Sequence, residues 1–317
     1  MQADSVFGIQ YSEMPKPFAD CDPRPNPPPP FSRPPSRDKE LFGWLLAIAA
    51  VLAVMNVSIF PAIERSGPDD WQACWATFCA GSIGGQAGIL AIGAVLGPAS
   101  TLRRHLFVVT LSLGFVFAWF AGILISNAMY GRHYPEVKSV GGVLLVAPLL
   151  FCVCELPLWF FRTFLRWRIE LPAEVRTRPP QLTIAGILLA TAAVALSLGA
   201  VRLGQKLAAA DREAEWWMGV GFAAAWCGGI SLVVLPVVAA LVFRTQSLVI
   251  GLLVSAAWIG LLFVGLLLVL SALAGSVPTR ELHLFCFIVM GFTSTLLGPL
   301  ALCRLYGYRL MGVGAVN

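Results

Sequence analysis

Charge is scarce in this chain. Only 12% of its 317 residues are charged, while 58% are hydrophobic; soluble domains carry about 25% charged residues. A chain this long and this apolar cannot hide its hydrophobic residues in one aqueous core, so lipid is the expected solvent for most of it. Motifs that carry chemistry are missing too. There is no HExxH, no P-loop pattern, no GxSxG and no pair of acids within the apolar runs. These absences exclude the usual signatures of zinc proteases, nucleotide-binding folds and serine hydrolases. Only three histidines occur, His105, His133 and His283, at segment ends or in loops. A haem or metal site needs ligands at matching depth, and none is evident, so no cofactor is expected. The eight cysteines form no disulfide framework; seven lie within or at the ends of apolar runs, as small hydrophobes do. Cys152 and Cys154 are two apart and point to nearly opposite sides of a helix, so they do not chelate together. The net charge of +5 implies no nucleic-acid partner, because the arginines sit at the ends of apolar runs, where they set orientation.

What is present is a series of long uncharged intervals. They give eight candidate helices, near 41–63, 73–97, 106–130, 139–161, 182–201, 216–243, 247–274 and 283–303. Each is long enough for one span of about 20 residues. Unbroken runs of this length are helical, because only helices and closed barrels satisfy their backbone groups in lipid. The expected fold is therefore an all-α polytopic transmembrane bundle of about eight helices. The second segment is Gly-rich and contains Gln86, which predicts packing against protein and not lipid. With the N-terminus inside, 15 Lys and Arg residues fall on the inner side and 7 on the outer, a split that obeys the positive-inside rule. Both termini are then cytoplasmic. The short outer loops hold acids such as Asp69, Asp70, Asp211, Glu213 and Glu215.

Residues 1–39 contain ten of the 22 prolines and have no apolar face to bury. They are expected to be a disordered, polyproline-like cytoplasmic tail, and the first apolar helix, not a cleaved signal, directs insertion. The first four-helix half spans 40–161 and the second 182–303, with a short cytoplasmic tail over 304–317. Between the halves lies the arginine-rich stretch 162–181. At 100° per residue Arg162, Thr163, Arg166 and Glu170 share a face, and Arg166 and Glu170 are spaced to pair. This predicts a short interfacial helix that stops before Pro172, with Arg166 and Arg168 as candidate contacts for anionic lipid headgroups. Ordinary positive-inside flanking explains the same arginines.

A shift of 142 residues lays each first-half segment on a second-half one. It aligns the pattern P-L-x-x-x-R at Pro157–Arg162 with Pro299–Arg304, although residue matches are sparse. Two parallel four-helix halves would follow. The segment RPPQLTIAGILLATAAVALSLG, with Leu182, Thr183, Ile184, Leu188, Leu189 and Thr191, resembles one that recurs in uncharacterised multi-pass membrane proteins of planctomycete-type bacteria. The resemblance covers about 20 residues, has Leu182 where an aromatic is common, and implies a bacterial inner-membrane protein without implying an activity.

Glu155 is the only acid within an apolar segment. It lies roughly 10 Å below the cytoplasmic end, at about 1.5 Å per residue back from Arg162. An ionised acid deep in lipid costs about 2.5–3.5 kcal/mol, so Glu155 should face protein or water. Arg162, two turns along, can reach back to it. Glu155 and Arg162 form the candidate intramembrane polar site, either a carboxylate at the end of a cavity or a neutralised structural pair. One ionisable group is too few for an ion-coupled pump. The expected protein is a non-enzymatic structural or assembly component of the membrane, in contact with the lipid bilayer and with other membrane proteins. The alternative is a carrier or scramblase for an uncharged or lipid-like substrate.

Overall fold

The computed structural model describes residues 36–65, 71–98, 101–130, 145–170, 184–207, 213–274 and 279–312. Eight helices lie among them: α1 (Ser36–Arg65), α2 (Trp71–Leu96), α3 (Thr101–Tyr130), α4 (Ala147–Phe164), α5 (Ile184–Leu207), α6 (Glu213–Arg244), α7 (Leu248–Ala274) and α8 (Thr279–Leu305). Two short strands follow α4 and α8, β1 (Arg168–Glu170) and β2 (Arg309–Met311). The fold is an all-α bundle. Among the described residues seven helices, all but α5, are long and apolar enough to cross a membrane. Each of the eight expected segments meets one helix. The first helix starts at Ser36, so the last residues assigned to the tail are helical; residues 1–35 lie outside the described residues, as do Asp69, Asp70, Asp211, His133 and 139–144.

The Gly-rich second segment is the centre of the bundle. In its most apolar window 67% of α2 is buried, against 17% in α3 and α7. Its most extensive contact is with α8; the next are α1 on α3 and α4 on α6. Glycine makes the first contact possible. A Cβ on Gly81 would run into the carbonyl of Ile288, and one on Gly291 into the carbonyl of Phe78. Lipid tails are as apolar as Leu, so helix association in a membrane depends on such close packing and on interhelical hydrogen bonds. Both occur here. Asn56 Nδ2 donates to Gln86 Oε1 at 3.0 Å and Gln86 Nε2 returns a bond to Asn56 Oδ1 at 3.1 Å, joining α1 to α2. Ser82 and Thr295 hydroxyls meet at 2.7 Å between α2 and α8. Leu90, Ile92, Val95, Val238, Leu296 and Leu300 fill the core around these pairs.

The expected interfacial helix over the arginine-rich stretch does not form across residues 165–170. Helix α4 ends at Phe164, the chain turns through Arg166 at φ 54°, and it leaves as β1. The equivalent exit from α8 turns at Gly307, φ 91°, with Tyr308 N donating to Cys303 O as in a Schellman close. The two exits then pair antiparallel, Arg168 with Met311, Ile169 with Leu310 and Glu170 with Arg309. Ile169 and Leu310 join the core from this ribbon, and Arg244 covers the Trp167 ring at 4.9 Å. Strand pairing and the burial of Trp167 and Ile169 thus win over the amphipathic pattern. The Arg166–Glu170 pair is replaced by Arg168 Nη1 to Glu170 Oε1 at 3.6 Å.

Candidate functional site

The ends of α2, α4, α6 and α8, the starts of α1 and α3, and the β ribbon all meet at one end of the bundle. Lys39, Arg103, Arg104, Arg162, Arg166, Arg168, Arg244, Arg304 and Arg309 gather there. Three of these arginines are committed to structure. A helix C-terminus leaves its last carbonyls without intrahelical donors and carries partial negative charge. Arg104 donates to Val95 O and Gly97 O, and Arg162 donates to Val95 O, so two guanidiniums close α2. Arg304 does the same for α6, donating to Val242 O, Thr245 O and Gln246 O.

Glu155 is buried, as an acid in an apolar helix must be, and faces α3. Its partners differ from the expected one. Trp159 Nε1 donates to Glu155 Oε2 at 3.3 Å, and His105 Nε2 lies 3.8 Å from the same oxygen. His105 also stacks on Trp159, with centroids 6.2 Å apart. Arg162 reaches the other side of this unit: its guanidinium lies 5.7 Å from the Trp159 ring while it caps α2. Glu155 and Arg162 thus border one tryptophan without forming an ion pair. Glu155 Oε1 is buried and has no hydrogen-bond partner among the described residues. The arrangement can hold one proton between carboxylate and imidazole, and it supplies no nucleophile. Among the described residues no three His, Cys, Asp or Glu side chains gather to hold a metal. Cys152 faces Ser197 on α5 and Cys154 faces Cys227 on α6, on opposite sides of α4 as their spacing requires. Of the proposed headgroup residues, Arg166 is exposed in the turn, while Arg168 is held by Glu170.

Beside this belt lies a feature that no residue pattern announced, a cavity of about 310 Å³ enclosed by α1, α2, α3 and α8. Its walls are apolar and include Leu45, Ile89, Leu111, Phe115 and Pro299. Among the described residues Arg103 and Arg104 are its only charged lining side chains. Gly93 faces it, and a Cβ there would meet nothing within 4 Å. Leu46 and Phe107 line it and are also 46% and 43% exposed, so one wall opens sideways. The signal in the sequence was the run Arg103, Arg104 and His105, which reads as ordinary flanking until the packing places it between a cavity and a buried acid.

Apolar spans of this length and number define a multi-spanning helical membrane protein. No family model matches the chain, and neither a curated protein nor a solved structure matches it.

Proposed function

We propose that this is a non-enzymatic carrier or scramblase for a lipid-like substrate, with its basic end and both termini in the cytoplasm of a bacterial inner membrane. The observation that carries the reading is the cavity at the basic end. Apolar, open to the side and about 310 Å³ in volume, it falls at the lower end of small-molecule sites, roughly 300–1,000 Å³. An apolar void of even about 150 Å³ stays dry and takes up apolar guests, so a void of this kind facing a bilayer is a place for hydrocarbon. The carrier reading is tested in proteoliposomes with trace fluorescent phosphatidylcholine or phosphatidylglycerol, by following transbilayer movement with an impermeant quencher. Movement of at least one reporter should exceed that in protein-free vesicles, and Gly93→Leu, which fills the cavity, should abolish the excess. Equal rates with and without protein would overturn it.

One observation favours the structural or assembly reading instead. Helix α5 packs mainly on α4 and leaves Val194, Leu196 and Leu198 exposed, as a helix does when it meets lipid or another membrane protein. Cysteine cross-linking at Leu196 in native membranes separates these cases, since a specific cross-linked product supports assembly.

A further inference from the structure

The cavity has a charged rim and an apolar depth, and both bear on what fills it. Among the described residues its lining contains two basic side chains and no acidic one. Arg104 is already engaged with the carbonyls that end α2. Arg103 is exposed, lines the mouth, and makes no ion pair or hydrogen bond among the described residues. A cation held at the rim of an apolar cavity attracts an anion that brings hydrocarbon with it. The dimensions narrow the choice. From Leu41 to Leu52 the α1 wall rises about 17 Å at 1.5 Å per residue, close to the ~15 Å depth of one leaflet's hydrocarbon. At roughly 30 Å³ per water-sized group, the cavity holds about ten such groups, which is the greater part of one acyl chain and not two. The open wall at Leu46 and Phe107 leaves a second chain free to stay in the bilayer.

We propose that this cavity binds an anionic phospholipid of the basic-side leaflet, one acyl chain inside between α1, α2, α3 and α8, and its phosphate on Arg103. The inference rests on the lipid-like reading above and adds the headgroup charge and the residue that reads it. Apolar burial supplies the affinity and Arg103 the selection between headgroups. Arginine suits the role because its planar fork matches phosphate oxygens in pairs.

The test uses the full-length protein in nanodiscs of phosphatidylcholine containing a photoactivatable acyl-chain analogue of either phosphatidylglycerol or phosphatidylcholine at equal mole fraction. Adducts are located by mass spectrometry. Wild-type protein should give adducts on peptides carrying Leu45, Ile89 and Leu111, with phosphatidylglycerol exceeding phosphatidylcholine at least five-fold. Arg103→Gln should reduce the phosphatidylglycerol signal until it no longer exceeds that of phosphatidylcholine. Gly93→Leu should abolish both while the variant keeps its thermal unfolding midpoint in detergent. Equal labelling by the two lipids in the wild type would overturn the headgroup inference and leave the lipid-like reading standing. Absence of cavity adducts with either lipid would overturn both, as would adducts that appear only after residues 1–35 are deleted, since the chain's own tail would then be the occupant.

Discussion

At the residue scale, Glu155 shows how a single anomaly can be located in a sequence while its partner cannot. An acid within an apolar run must face protein, and it does. Arg162 was the natural partner by helical spacing, but the carbonyls at the end of α2 hold its guanidinium. The actual neighbour, His105, is 50 residues away on α3 and was invisible because local periodicity does not encode which helix packs against which. Glu155→Gln is expected to be tolerated, since an amide oxygen can still accept from Trp159 Nε1 and no buried charge is left. His105→Ala should cost stability in the wild type and much less in the Glu155→Gln background. Contacting residues couple by about 0.5–3 kcal/mol, and that range is expected for Glu155 with His105, with a smaller value for Glu155 with Arg162. Double-mutant cycles on thermal unfolding in detergent measure both. Coupling confined to Arg162 would contradict the geometry described above.

At the element scale, the character of α2 was legible and its partner was not. Glycines and Gln86 in one span marked it as packed against protein, and it is the most buried of the candidate spans. That α8 provides the opposing face depends on the fit of Gly81 under Ile288 and Gly291 under Phe78, a property of two surfaces 200 residues apart in the chain. Gly291→Leu should therefore separate the central pair, break the Ser82–Thr295 bond and sharply reduce the yield of folded protein. Gly260→Leu on α7, where a Cβ meets nothing within 4 Å, should be nearly silent. Size-exclusion profiles of the two variants after mild extraction provide the comparison, and equal behaviour would refute the close packing. The β ribbon escaped notice for another reason. Strands of three residues are too short to display a period of two, and the amphipathic pattern from Arg162 to Glu170 favoured a helix locally. The pairing with β2, about 140 residues on, reversed that preference.

At the scale of the whole molecule, the 142-residue shift gains geometric content. It aligns Arg162 with Arg304, and each closes the second helix of its own half, α2 at Val95 and α6 at Val242. It also interchanges the α2–α8 and α4–α6 packings, and places β1 opposite β2. Helices α1 and α5 break the correspondence, since α1 packs on α2 and α3 whereas α5 packs mainly on α4. The consequence of this arrangement is that arginines from both halves accumulate at one end, together with Lys39, where Glu40, Glu155 and Glu170 are among the described acids. The opposite end is closed by Val146, Val201 and Val220 with Trp216 and Trp217 beside them, and Arg202, Lys206 and Glu215 lie on the helices that reach it. By the positive-inside rule such asymmetry predicts the basic end in the cytoplasm. Single cysteines at the exposed positions Lys39, Arg166 and Gln246, in a cysteine-free background, should resist an impermeant maleimide on intact spheroplasts and react after permeabilisation. Cysteines at Lys206 and Glu215 should react at once. Labelling of Arg166→Cys from outside would invert the orientation, and would move the cavity and the lipid it is proposed to bind to the outer leaflet.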